Sequence, residues 1–265
     1  MTAVELPLTG ERTVPGVPGE NYWFRRHEAA YRHLADLAAP LGRRRADHGS
    51  DGDRDATLLE IGSGEGYGAH LLSRHFARTV ALDYDRTSVV YLAARYPALV
   101  PVLANLAALP LRSGLVDTVA SLQVVEHVWD HPQFALECAR VLRPGGQLWL
   151  TTPNRLTFSP DLVAGERPRN PFHTHEFTAE ELAGLVDHTP GLTVRSMHGL
   201  YAGDRLRTLD ARWDGSFVAA QLACAPTDWS DELRADVASV EVEDFEVRPD
   251  AGDDCLDLIL VAERA

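Results

Sequence analysis

The sequence has few of the features that mark secreted, membrane or thiol-based proteins. Its three cysteines, Cys138, Cys224 and Cys255, lie far apart and show no CxxC spacing, which excludes an evident disulfide framework or thiolate zinc site. No apolar run approaches the length that spans a bilayer. The first residues lack the basic start and apolar run of a signal peptide. We therefore expect a cytoplasmic protein without a membrane partner.

Positive charge is also scarce. The 265 residues contain 25 Lys and Arg against 39 Asp and Glu, which gives a formal net charge of −14. Such an acidic surface repels phosphate backbones, so the composition argues against a nucleic-acid partner. The hydrophobic content of 45% is enough to build the core of one α/β domain.

Strands alternate with helices over residues 56–265, which we interpret as one domain. Residues 1–55 precede it as an irregular arm followed by a helix from Asn21 to Leu37, which Pro40 and Gly42 should end. The alternation predicts an α/β fold with a mainly parallel sheet and helices on both faces. Seven strands are predicted, at 56–61, 79–82, 100–104, 116–122, 147–152, 192–197 and 256–262.

Two long connections interrupt this alternation, at 153–177 and 199–254. Connections of this length are usually functional or contain small elements of their own. We expect the second to be a lid-like insertion before the last strand. Either connection could also build a homodimer interface.

A glycine-rich turn follows the first predicted strand. Gly62, Gly64 and Gly66 come directly after the apolar run 58–61, and Asp83 ends the next strand. Glycines allow a sharp turn and a close approach of a ligand to the backbone, and an acidic residue at that distance can bind ribose hydroxyls. The third glycine comes one residue too early for the dinucleotide pattern G-x-G-x-x-G, so a nicotinamide-dependent dehydrogenase is the weaker interpretation.

The segment 60–66 together with Asp83 resembles motif I and the ribose-binding acid of class I S-adenosylmethionine (SAM)-dependent methyltransferases related to ubiquinone-biosynthesis enzymes. Further similar segments are 105–111, 116–117, 123–127 and 142–146. The resemblance implies a Rossmann-like class I methyltransferase fold with SAM as cofactor. The cofactor-binding residues that it indicates are Gly62, Gly64, Gly66, Asp83, Asn105, Leu106 and Gln123.

The N-terminal helix begins with an aromatic and basic segment that contains Trp23 and Arg26. One face of this segment could cover the cofactor, with an arginine pairing the methionine carboxylate. We therefore add Trp23 and Arg26 to the candidate cofactor-binding residues. The alternative is a hydrophobic helix start that packs on the core.

A second resemblance spans nearly the whole chain. The segments 10–15, 20–27, 152–155 and 170–174 are similar to an actinobacterial group that resembles the mycobacterial 1-O-methyltransferases of methylmannose polysaccharide synthesis. This resemblance implies methyl transfer to the reducing-end 1-hydroxyl of a short 3-O-methylated mannoside, with magnesium as a second cofactor. Two alternatives stay open: a methyltransferase for another class of small molecule, and a SAM-binding protein without catalysis.

A sugar hydroxyl needs help in losing its proton before it attacks a methyl group. We choose His173 in the connection 153–177 as the first candidate base, with His175 as its rival. Glu126 and His127 follow the fourth strand and are predicted to act in catalysis or to bind a metal ion. In the ubiquinone-type relatives another glutamate precedes this pair by three residues, where this chain has Gln123. An amide is a weaker ligand for hard cations than a carboxylate.

Overall fold

The computed structural model describes residues 13–46, 56–163 and 166–265, without the side chains of residues 39–46. Its strands form one sheet in the order β3-β2-β1-β4-β5-β8-β6-β7. The strands are β1 (Thr57–Ile61), β2 (Arg78–Asp83), β3 (Val100–Leu103), β4 (Val116–Leu122), β5 (Leu142–Pro153), β6 (Leu192–Ala202), β7 (Phe245–Arg248) and β8 (Asp257–Arg264).

The first five strands run parallel, and β8 inserts antiparallel between β5 and β6. This topology confirms the predicted Rossmann-like, mainly parallel sheet. Strand order reverses next to β1, where the chain continues to β2 on one side and β4 lies on the other. In such open sheets ligands bind beyond the carboxyl ends of the strands at this reversal. The topology therefore predicts that a ligand binds in a crevice where β1, β2 and β4 end.

The prediction of seven strands is wrong by one, because the described chain adds β7 at the sheet edge. This four-residue strand pairs antiparallel with β6, from Gly199–Arg248 to Ala202–Phe245. It lies inside the long connection 199–254, where a strand this short gives little periodic signal. The pairing with β6 thus depends on tertiary contacts that no local pattern reveals.

Helices cover both faces of the sheet, as the alternation predicts. They are α1 (Asn21–Ala46), α2 (Tyr67–Leu72), α3 (Arg86–Arg95), α4 (His131–Val141), α5 (Arg155–Phe158), α6 (Ala179–Asp187), α7 (Asp204–Arg212), α8 (Phe217–Leu222) and α9 (Asp231–Ala238). One core layer contains Phe134 of α4 and Leu182 of α6, and the opposite layer contains Leu34 of α1 and Leu233 of α9. Among the described helices none combines the length and apolar character needed to cross a membrane.

Helix α1 is longer than the sequence suggests. It runs to Ala46, past Pro40 and Gly42, which were expected to end it. Its first residue, Asn21, donates side-chain hydrogen bonds to the carbonyl oxygens of Val237 and Val240 at 2.9 Å. These bonds satisfy carbonyl groups near the end of α9, so α1 and the connection 199–254 hold each other in place.

The connection 199–254 packs into the same apolar layer as α1. Buried side chains from this connection include Leu206, Phe217 and Trp229, and Tyr22 of α1 contacts Phe217 edge to face at 5.7 Å between ring centroids. The connection is therefore part of the folded core layer, and its expected role as a lid stays a prediction. Residues 1–12 of the predicted arm lie outside the described residues.

Candidate active site

The glycine-rich turn leaves open space beside one of its glycines. Gly62, Gly64 and Gly66 all have positive φ, at 73°, 50° and 86°. A Cβ at Gly62 would lie 2.4 Å from Cγ2 of Val124, whereas a Cβ at Gly64 would meet no atom within 4 Å. Side chains are thus excluded at Gly62 by packing, and the backbone at Gly64 borders the crevice. This cradle fits a ligand that lies directly against the main chain.

Asp83 ends β2 opposite this turn. Its Oδ2 accepts a hydrogen bond from the backbone N–H of Gly64, and its Oδ1 accepts one from Asp85, both at 2.8 Å. A carboxylate can accept several hydrogen bonds, including bonds from ribose hydroxyls. Asp83 thus lies beside the glycine-rich turn, and its contact with the ribose stays a prediction.

Replacing Asp83 by alanine is expected to weaken SAM binding by about 1.5–3 kcal/mol, the usual value of a hydrogen bond to a charged group. Isothermal titration calorimetry measures this change directly. Asp231→Ala is the matched control, because the Asp231 carboxylate is fully exposed on α9. Equal SAM affinity in the wild type and Asp83→Ala would show that Asp83 does not contact the ribose.

Asn105 and Leu106 follow β3 at the same edge of the sheet. The neighbouring Ala104 N–H donates to the carbonyl oxygen of Asp83 at 3.0 Å, which joins this segment to the end of β2. The Asn105 side chain accepts from the Ala107 N–H at 2.9 Å, and Leu106 packs against the core. These two residues thus lie next to the end of β2, and their position beside an adenine stays a prediction.

Arg26 and Gln123 converge on Asp257, a residue that the sequence analysis missed. Arg26 is 3% exposed and pairs with the fully buried Asp257, with its Nε donating to Oδ2 at 2.7 Å. Gln123 donates from Nε2 to Oδ1 of the same carboxylate at 3.1 Å and to Thr151 at 3.2 Å. The Arg26 guanidinium and the amide nitrogen of Gln123 are therefore engaged within the protein, and the role of both residues in binding SAM stays a prediction.

Two aromatic rings lie beside this ion pair, and the backbone of the neighbouring Gln123 has an unusual conformation. The Arg26 guanidinium lies over Phe158 at 4.6 Å and over the ring of Trp23 at 5.6 Å. Trp23 is thereby part of the packing around Arg26, and its predicted contact with the cofactor stays a prediction. Gln123 has a positive φ of 55°, which is unusual for a residue other than glycine and tends to occur at functional sites.

Glu126 lies in a short 3-10 turn, Val125–His127, directly beyond β4. Its side chain is 1% exposed and accepts a hydrogen bond from the Thr152 hydroxyl at 3.1 Å. Burial raises the pKa of Glu126 to about 7, against the opposing effects of the His173 charge and the Thr152 hydrogen bond. A buried carboxyl group of this kind can hold or release a proton near neutral pH.

His173 and His127 form a pair beside Glu126. Their ring centroids are 4.9 Å apart and their planes are nearly perpendicular. His127 has its Nδ1 3.0 Å from the carbonyl oxygen of Phe172, so Nδ1 carries the proton and Nε2 the lone pair. The structure thus brings together all three predicted catalytic residues, which are up to 47 positions apart in the sequence.

Thr174 fixes this arrangement, and the sequence analysis gave it no role. Its backbone N–H and its hydroxyl both donate to the carbonyl oxygen of Glu126, at 2.7 and 3.0 Å. The hydroxyl also lies 2.6 Å from the carbonyl oxygen of Val128. These bonds clamp the segment that carries His173 onto the turn that carries Glu126 and His127. The motif 170–174 was the available signal, but it did not reveal the partner.

The rival base, His175, lies in a different environment. Its ring packs edge to face on Phe177 at 4.5 Å and lies 5.7 Å from His131. Its Nε2 is 3.7 Å from a carboxylate oxygen of Glu181 at the start of α6. The aromatic and helix contacts explain the position of His175 without a ligand, so the geometry favours His173 over His175 as the base.

The residues around Glu126 also offer ligands for a metal ion. One ligand atom each from Glu126, His127 and His173 lies within 4.8 Å of the others. Imidazole nitrogens suit zinc, iron and related transition metals, whereas magnesium prefers an all-oxygen environment. The amide nitrogen of Gln123 donates to Asp257 and Thr151, and a neutral amide is a weaker ligand for a hard cation than a carboxylate. These donors therefore do not fit the magnesium ion that the resemblance implies.

Known proteins are similar to this chain in sequence. The family described as "Methyltransferase domain" matches residues 59–150, which contain the glycine-rich turn, Asp83 and the Glu126–His127 turn. A protein of Mycolicibacterium smegmatis named "Probable S-adenosylmethionine-dependent methyltransferase" is 47% identical over 264 residues, which cover 98% of this chain and 95% of the relative. A protein of the same description from Mycobacterium tuberculosis is 46% identical over 266 residues, with 98% and 90% covered.

A solved structure shows the same fold at low sequence identity. The geranyl diphosphate C-methyltransferase of Streptomyces coelicolor, in complex with Mg²⁺, geranyl diphosphate and S-adenosyl-L-homocysteine, superposes with a TM-score of 0.52 at 16% identity. The alignment covers 84% of this chain and 76% of that protein. This likeness supports the fold assignment alone.

Proposed function

The chain belongs to the SAM-dependent methyltransferases, and from this premise we propose that it methylates a sugar hydroxyl, the reducing-end 1-hydroxyl of a short 3-O-methylated mannoside. The observation that carries the proposal is the pair of imidazoles, His127 and His173, that meets the buried Glu126 at the carboxyl edge of the sheet. The acceptor class also follows the likeness of the motif 170–174 to mannoside methyltransferases.

Transfer to a hydroxyl explains why imidazole groups would lie here. When bound, SAM supplies a methyl group on a positively charged sulfur. The acceptor oxygen bonds to the methyl carbon as the carbon–sulfur bond breaks, and S-adenosylhomocysteine leaves with the electron pair. The acceptor proton must pass to a base, and a neutral imidazole nitrogen accepts it near pH 7. We assign this step to Nε2 of His173.

The mouth of the site has a surface that suits a sugar ring. Trp129 follows the Glu126–His127 turn and is 87% exposed, and Phe172, directly before His173, is 41% exposed. Exposed aromatic faces attract the slightly positive C–H groups of a pyranose ring and its O-methyl groups. Phe158, in contrast, contacts the Arg26 guanidinium, so it is a weaker candidate for this contact.

The first experiment is release of S-adenosylhomocysteine in the presence of a 3-O-methylated mannobiose. Parallel reactions contain phenolic and amino-sugar acceptors, EDTA, added Mg²⁺ or added Mn²⁺. Turnover on the mannoside alone among these acceptors supports the proposal. Good turnover on a phenol or an amino sugar, with none on the mannoside, overturns the sugar assignment.

The remaining arms separate the alternatives. SAM binding without S-adenosylhomocysteine formation on any acceptor would favour a binding protein without catalysis. Loss of turnover in EDTA with restoration by Mn²⁺ would point to a metal at Glu126, His127 and His173. Restoration by Mg²⁺ alone would contradict the preference that these donors indicate.

A further inference from the structure

His173 has a hydrogen-bond partner on each ring nitrogen. Nδ1 lies 2.8 Å from Oε1 of Glu176, and Nε2 lies 3.0 Å from the side-chain nitrogen of Asn170. Glu176 is 3% exposed. It lies three residues after His173, and Asn170 lies three residues before it. The imidazole is therefore held from both sides within one short segment.

The orientation of the Asn170 amide follows from its other contact. Its Oδ1 accepts a hydrogen bond from the backbone N–H of Phe172 at 3.0 Å, so the amide nitrogen must face His173. An amide nitrogen can only donate, which requires a lone pair on Nε2 of the imidazole. The proton of neutral His173 is thus on Nδ1, where the Glu176 carboxylate accepts it.

We propose that Glu176 and Asn170 are positioning residues that fix His173 as its Nδ1–H tautomer, with the lone pair on Nε2 ready to receive the acceptor proton. This inference rests on the proposed function for the identity of that proton. Glu176 also supplies the negative charge that stabilises the imidazolium formed when Nε2 takes the proton. The Asn170 amide donates to Nε2 until the acceptor hydroxyl, which is also a donor, replaces it.

The surrounding contacts support this role for Glu176. The Glu176 and His173 side chains are only 3% and 9% exposed, so their 2.8 Å contact is shielded from water. The Thr174 bonds to Glu126 and Val128 hold the intervening backbone. The His173 ring is thereby oriented by side chains and by the clamped main chain together, as functional histidines commonly are.

The first test needs no acceptor. Nitrogen-15 NMR of the ¹⁵N-histidine-labelled full chain, with His173 assigned by its loss in His173→Gln, distinguishes the two neutral tautomers. We expect the Nδ1–H form. A spectrum that shows His173 as Nε2–H overturns the proposal, whatever the acceptor of the enzyme proves to be.

The second test measures turnover. Glu176→Gln is expected to lower kcat by about 10–100-fold, the usual effect of losing a partner that orients a functional histidine. The KM for the acceptor and the Kd for SAM should stay within about twofold, because Glu176 is buried and acts through its contact with His173. Glu176→Asp, which keeps the carboxylate, should recover part of kcat.

Glu180→Gln is the matched control, because this substitution removes the same charge from an exposed position in the first turn of α6. It should leave kcat unchanged. A Glu176→Gln enzyme with wild-type kcat overturns the proposal, and so does equal loss in Glu176→Asp and Glu176→Gln. If the wild type turns over only a different acceptor, kcat on that acceptor and the NMR result still decide the role of Glu176.

Discussion

Replacing Asp257 by alanine is expected to lower the free energy of unfolding by about 3–5 kcal/mol, because the change leaves a buried charge without its partner. Arg26 is 3% exposed, and Asp257 is its carboxylate partner in the ion pair. The remaining contact of its Nη2, with the carbonyl oxygen of Leu256, is 3.4 Å long and carries no formal charge. The Gln123 amide loses an acceptor in the same variant.

Chemical denaturation of the purified protein measures this loss. Glu246→Ala is the control, because the Arg248–Glu246 pair is exposed on both sides and should contribute no more than about 1 kcal/mol. The double variant Arg26→Met with Asp257→Leu removes both charges and should recover most of the stability. A loss below about 1 kcal/mol in Asp257→Ala would show that water or another group replaces the carboxylate.

The second large effect is on catalysis. His173→Ala is expected to lower kcat by about 100-fold or more, the usual range for removal of a general base, while SAM affinity stays unchanged. The reason is that His173 lies beside Glu126 and His127, and no backbone hydrogen bond described for the glycine-rich turn joins it to the segment that contains His173. Initial rates of S-adenosylhomocysteine release and calorimetric SAM titration provide the two measurements.

His188→Ala is the control for this variant, because His188 is exposed at the end of α6 and its Nδ1 bonds only to the carbonyl oxygen of Gly184 at 2.7 Å. His127→Ala and His175→Ala complete the series. Wild-type turnover in His173→Ala, combined with a large loss in His127→Ala, would move the base to His127, whose lone pair also lies on Nε2.

The turn at the cofactor crevice could be predicted from the sequence because its constraints are local. Gly62, Gly64 and Gly66 adopt the positive φ angles that glycine permits, and Asp83 ends the next strand in register with them. Helix boundaries were less predictable. Pro40 and Gly42 favour a helix end by local propensity, yet α1 continues to Ala46.

The arrangement of the catalytic candidates, in contrast, could not be predicted from the sequence. His127 and His173 could be selected by residue type and neighbourhood, but nothing in either segment indicates that the two rings lie 4.9 Å apart. Their proximity depends on Thr174, which donates to a carbonyl group 48 positions away. Glu176 and Asn170 were not predicted from the sequence, because they contact His173 only when the segment 170–176 folds around its ring.

The sequence by itself therefore determined the α/β class, the glycine-rich turn, the acidic residue after β2 and the family, since each depends on patterns of residues within short segments or on the order of these segments along the chain. Only the tertiary structure decided that Arg26 pairs with Asp257, 231 positions away, that β7 extends the sheet, and that two histidines meet one glutamate. The physical reason is that buried charges and ring nitrogens take the partners that packing brings to them. Packing brings together segments that are distant in the sequence, so no local sequence pattern predicts these contacts.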